Sequence, residues 1–188
     1  MISNKIKLKE CIKIEKNIYF ENGKSYIISK FNKSEKGYIY RYLKLLRYDE
    51  YYTNTKKSKL WKILLLIIRR KKNIIGLKLG LTIPINTCDV GVTIYHANGI
   101  VINSHSKIGK YCKFHGDNCI GNDGIDIEKA PIIKDNVDIG VGAKIIGDIV
   151  VEENIIIGAN AIVRKNFEEK NIIIAGVPAK KIRNIWFL

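Results

Sequence analysis

The chain has 188 residues, of which 46% are hydrophobic and 27% charged, enough for one to two modest domains with a real apolar core. Lys and Arg outnumber Asp and Glu by 33 to 18, a net charge of +15 that would attract phosphates, anionic lipid or nucleic acid. No compact nucleic-acid motif accompanies that charge, so nucleic acid is not expected as a partner, and much of the excess reads as solvated surface.

The basic residues lie mostly before residue 80, and the chain changes character there. Tyr, Lys and Leu dominate before it; Gly and β-branched residues dominate after it. Residues 1–35 allow two readings. Leu8, Cys11, Ile12 and Tyr19 suit one face of a helix, whereas Asn22-Gly23 between two apolar triplets suits a hairpin turn. Residues 37–50 read as a helix, with Ile39, Leu43 and Leu46 at i, i+4 and i+7. Residues 58–73 read as a second, with Ser58 as N-cap and Arg69 to Lys72 complementing the negative end of its dipole. Its apolar run is too short for the roughly 20 residues that span a bilayer. The polar N-terminus is not a signal peptide. The cysteines Cys11, Cys88, Cys112 and Cys119 form no CxxC pair and no zinc pattern. Reduced thiols, no metal and a cytoplasmic location are therefore expected.

The second half repeats every six residues. Val90, His96, Ile102, Ile108, Phe114 and Ile120 follow one another at that step. After a break, Ile133, Ile139, Ile145, Val151, Ile157 and Val163 do the same, so eleven of the twelve positions are large and apolar. Glycine often follows, as at Gly91, Gly109, Gly121, Gly140 and Gly158. The fifth position of the hexad is often small, as at Ser106, Cys112, Gly124, Ala143 and Ala161. Each hexad thus reads as a short strand plus a turn, with three hexads to a triangular coil, about four coils in all, and the aliphatic residues stacked inside. Ile120 and Ile133 stand thirteen apart instead of twelve, and the polar segment 122–131 (NDGIDIEKAP) is expected to protrude as a loop that contributes to a binding site. His96 sits among aliphatic equivalents and breaks the stacking rule, which marks it as a functional candidate.

The runs GVTIYHANGIVIN (91–103), IGKYCKFHGDNCIGN (108–122), IIKDNVDIGVGAKIIGDIVVEENIIIGANAIV (132–163) and AGVPAKKI (175–182) resemble hexapeptide-repeat acyltransferases of the serine acetyltransferase type. With KLGLTIP (78–84) and RYLKLLRYDEYY (41–52), they are more similar still to bacterial polysaccharide O-acetyltransferases. The resemblance covers residues 37–183. It implies a mainly β fold: a left-handed parallel β-helix (81–168), a mainly helical N-terminal region (1–80) and a C-terminal CoA-binding tail (169–188). It implies an acetyl-CoA-dependent O-acetyltransferase, with the histidine of H-A-x-G-I-V, here His96, as general base. His115, about one coil further on, is expected near it, holding the acceptor or a neighbouring group; His105 reads as a solvated turn residue. The pantetheine arm would run beside Val141, Ala143, Ala159 and Arg164, and Ala175, Gly176 and Pro178 would form the tight turn after the coils. Lys180 and Arg183 would meet the CoA phosphates. The family's homotrimer is implied as well.

Three departures bear on the acceptor. Serine acetyltransferases carry an Asp immediately before the catalytic histidine and another about fifteen residues upstream; here these positions hold Tyr95 and Leu81. Their protruding loop carries an Arg-His pair that 122–131 lacks. The expectation is therefore a hydroxyl of a glycan or glycan precursor of the capsule or lipopolysaccharide type. Serine O-acetylation in cysteine biosynthesis is the alternative. Less favoured are a γ-type carbonic anhydrase, whose paired histidines are missing here, and a non-catalytic scaffold, against which His96 argues. The basic helix 58–73 leaves open a weak peripheral contact with the inner membrane face.

Overall fold

The computed structural model describes residues 2–20, 26–29, 32–55 and 59–185. It divides into two compact units, 1–80 and 81–188.

In the first unit, α1 spans Lys5–Tyr19, α2 Glu35–Asn54 and α3 Lys59–Leu79. Asn4 caps α1, its Oδ1 accepting from the Lys7 N–H at 2.8 Å, and Ser34 caps α2 by accepting from Gly37. Helix α1 buries Leu8, Cys11 and Tyr19, as the helical reading of this segment expects, and Glu15 in place of Ile12, which is half-buried. The proposed turn at Asn22-Gly23 and the proposed cap Ser58 lie outside the described residues. Helix α3 runs six residues further than expected, to Leu79, because Ile75 and Gly76 continue its buried face.

This unit also buries charge. Arg47 is 1% exposed and sends Nε and Nη2 to Glu15 Oε1 (3.0 and 2.7 Å) and Nη1 to Glu50. Burial alone would favour a neutral guanidine, but the two carboxylates hold Arg47 firmly charged. Asp49 takes hydrogen bonds from Arg69 and from Lys72, the latter at 2.6 Å.

The second unit is a parallel β-helix with three sheets. The first has the order β1 (Leu81–Thr82), β3 (Ile100–Ile102), β6 (Cys119–Gly121), β9 (Lys144–Ile146), β12 (Ile162–Val163). The second has β4 (Lys107–Ile108), β7 (Ile132–Ile133), β10 (Val150–Val151). The third has β2 (Thr93–Ile94), β5 (Lys113–Phe114), β8 (Asp138–Ile139), β11 (Ile156–Ile157), β13 (Ile172–Ala175), β14 (Lys180–Asn184). All pairings are parallel except β13 with β14. Register stacks the aliphatic residues inside the prism: Ile102 on Ile120, Ile145 and Val163; Ile108 on Ile133 and Val151; Ile94 on Phe114, Ile139, Ile157 and Ile174. Ser106, Cys112, Ala143 and Ala161 are fully buried at the fifth positions, whereas Gly124 falls in the loop.

The hexad phase holds from Ile102 onward and fails before it. The inward residue of the preceding strand is Ile94, eight residues before Ile102, so Val90 and His96 are not stacking positions. His96 is exposed. Two extra residues open that corner, and they sit at the segment that carries the histidine.

Candidate active site

The corner that follows each strand of the third sheet recurs in every coil. It holds residues 95–99, 115–118, 140–143, 158–161 and 176–179 in turn. Backbone hydrogen bonds tie these corners into a column: Gly142 N–H to Gly116 C=O (3.0 Å), Asn160 N–H to Val141 C=O (2.8 Å), Ile162 N–H to Gly176 C=O (3.0 Å).

His96 stands at one end of this column. Gly116 lies directly against it, at φ +109°, and a Cβ there would come 3.1 Å from the His96 carbonyl oxygen. Only glycine combines that backbone with that approach. Asn118, fully buried, braces the same turn by accepting from Gly116 N–H (3.1 Å) and donating to Gly140 C=O (2.8 Å).

His115 is in register with Tyr95, and the two rings pack at 4.6 Å. Its Nε2 lies 2.7 Å from Asp138 Oδ1, on the next coil. Lys113 Nζ sits 3.8 Å from the same carboxylate. These groups are partly exposed, so the pairs contribute at most about 1 kcal/mol to stability; their effect is to fix the His115 ring. Asp138 was not singled out in the sequence. It lies 23 residues beyond His115 because the protruding loop intervenes, and only the coil register brings the two together.

The column gathers some of the expected donor-binding residues and separates others. Val141, Ala159, Ala175, Gly176 and Pro178 lie along it with exposed or half-exposed surface. Lys180 and Arg183 follow on β14, both exposed. Ala143 is fully buried, so its side chain cannot line a surface groove. Arg164 belongs to the next corner, between the first and second sheets, close enough to Asp123 of the loop to help hold that carboxyl below its ordinary range, after the larger effect of the Ile125 N–H. The loop 122–131 protrudes as expected and exposes Ile125 and Ile127. His105 Nδ1 reaches its Ile127 carbonyl at 2.9 Å, so this histidine steadies the loop instead of being merely solvated. Among the described residues no group of three His, Cys, Asp or Glu could hold a metal ion, and no helix is long and apolar enough to cross a membrane.

No family profile matches the chain. The chain is 38% identical over 104 residues to the serine acetyltransferase of Buchnera aphidicola subsp. Schizaphis graminum, covering 54% of this chain and 40% of that protein. It is 32% identical over 93 residues to that of Synechococcus elongatus, covering 49% and 38%. The serine acetyltransferase of Neisseria gonorrhoeae superimposes with a TM-score of 0.71 at 18% identity, covering 98% of this chain and 70% of that one. The chain has the left-handed β-helix fold of the serine acetyltransferases. A serine acetyltransferase in complex with CoA matches at 27% identity and a TM-score of 0.62, covering 77% and 57%. The chain spans about two fifths of the length of the curated relatives it matches.

These relatives overturn the expectation of a glycan or polysaccharide acceptor, which rested on Tyr95 and Leu81 at the two Asp positions and on a loop without the Arg-His pair. That argument required carboxylates at two fixed positions. Asp138, on β8, stands against His115, and Asp117, in the corner, stands against Lys144, the latter pair at 3.0 Å.

Proposed function

We propose that this chain is an acetyl-CoA-dependent O-acetyltransferase whose acceptor is serine. The reading rests on the position of His96: the residue that the resemblance marks as general base lies exposed in a widened corner, at one end of a column of small residues. The serine acetyltransferases that match about half of the chain support serine over other acceptors.

In the proposed reaction, neutral imidazole at His96 accepts the proton of the acceptor hydroxyl as that oxygen attacks the thioester carbonyl. The tetrahedral adduct collapses, the C–S bond breaks, and the imidazolium returns the proton to the departing thiolate. The pantetheine arm would lie against Val141, Ala159 and Gly176, where small side chains expose the backbone, and Lys180 and Arg183 would meet the phosphates. Tyr95, His115 and Asp138 would form the wall beside the acceptor.

Arg164 and the loop lie on a different corner from His96. A site using both sets of residues would need neighbouring copies of the chain, which favours the homotrimer. The donor chemistry carries a cytoplasmic location with it.

The test is thiol release from acetyl-CoA with L-serine, for the wild type and His96→Ala. Serine-dependent release that falls about 10²–10⁴-fold in the variant is expected. CoA binding without serine-dependent release would exclude serine.

A further inference from the structure

We propose that the helical unit carries a second ligand site, separate from the acyl-transfer column, for a small phosphorylated molecule bearing a flat ring. The site is a half-open cleft of about 260 Å³ between α2 and the segment before it, lined by Tyr26, Lys33, Tyr38, Arg41, Lys44 and Tyr48 among others.

The α2 residues recur at three- and four-residue steps and therefore share one face, away from Ile39, Leu43 and Leu46, which are fully buried. Lys33, Arg41 and Lys44 bring three cations to one cleft. None is ion-paired with a described carboxylate, whereas Arg47, Arg69 and Lys72 of the same unit all are. The imbalance is general: residues 1–80 hold 21 basic and 6 acidic residues, and residues 81–188 hold 12 of each. Three like charges around one cavity repel one another, and a phosphate dianion turns that repulsion into charge-assisted hydrogen bonding.

The aromatic residues define the rest of the ligand. Tyr26 is held by Phe20 and Tyr40, each ring 5.3 Å away, and Tyr48 stacks on Tyr52 at 6.3 Å. Rings fixed before binding lose little entropy when a planar group packs against them. The volume lies near the lower end of ligand sites, roughly 300–1,000 Å³, which limits the occupant to about the size of a mononucleotide.

The test is calorimetric titration of the full chain with AMP, and separately with inorganic phosphate, at about 0.15 M salt, where bulk-field effects are screened. The titration is repeated in Lys180→Glu/Arg183→Glu, which weakens nucleotide affinity of the acyl-donor column; the AMP binding should persist there. One-site AMP binding is expected, tighter than phosphate. It should weaken at least about tenfold in Arg41→Glu/Lys44→Glu and less than about twofold in Lys62→Glu/Lys71→Glu, an equal charge change on exposed α3 positions. Arg41→Gln serves if the double variant loses its helical circular dichroism, and should weaken AMP in the same direction. Absence of saturable AMP binding, or equal losses in the two double variants, would overturn the site; phosphate binding as tightly as AMP would overturn the ring. CoA affinity, measured on the same variants, reads the acyl-transfer proposal independently and should not change.

Discussion

The two units reach stability by opposite means. The β-helix is electrically neutral and buries no charged side chain among the described residues, with equivalent aliphatic positions stacked coil on coil. The helical unit carries the chain's entire excess of positive charge and places an arginine, a lysine and three carboxylates in its interior. Repetition makes the first core insensitive to long-range specification, because each coil copies its neighbour. The second depends on particular partners: Glu15 and Arg47 meet across 32 residues of sequence, and the pairing has value only when every member is present.

That contrast can be broken most sharply at Arg47. Arg47→Ala leaves Glu15 and Glu50 buried without a counter-charge and should cost about 3–5 kcal/mol. Thermal unfolding followed by the helical signal should show the loss, with the β-helix signal little changed. In the other unit, Ile145→Ala removes one member of the stack between Ile120 and Val163 and should cost about 2–5 kcal/mol, according to how far the neighbouring coils close the cavity; there the β-helix signal should move.

Acid sharpens the comparison more gently. Burial alone would raise the Asp49 pKa, but hydrogen bonds and charge from Arg69 and Lys72 hold it below 3.8. A carboxyl depressed in the folded state stabilises above its unfolded pKa, about 3.9, and that contribution disappears as pH falls through the folded value. The helical unit should therefore weaken in acid below about pH 4, and Asp49→Asn should flatten that part of the pH profile in a denaturation series. The smallest effect concerns the thiols. Burial pushes Cys11 and Cys112 up to about 12, so neither offers a thiolate at neutral pH. Iodoacetamide should label Cys119, the one cysteine that is not buried, first, as mass spectrometry of the native protein would show.

The period of six was legible because every inward residue from Ile102 onward is an aliphatic or aromatic side chain that must fill the same space. It misled at His96 because stepping backward assumes constant coil length, and the coil widens there by two residues. A histidine at a stacking position was itself the sign of a shifted phase. The strip of small residues was legible as far as Val141, Ala159 and Gly176. Ala143 is buried because it turns inward at the end of its corner, and Arg164 lies on another corner because it follows a first-sheet strand; six-residue spacing alone separates neither. The His115–Asp138 pair was hidden because the loop changes the number of residues between coils. In the helical half, α2 was legible from its apolar stripe, whereas the buried ions were not, since local periodicity carries no information about a partner 32 residues away.

Strand β14 has one further consequence. A parallel solenoid ends on an edge whose hydrogen-bonding groups match the next coil of any identical molecule, so left bare it is a template for head-to-tail polymers. Here the third sheet ends on a strand that runs the opposite way and exposes Lys180, Lys181 and Arg183. Its reversed polarity and repeated charge raise the cost for a second molecule to add to that sheet as the next parallel coil.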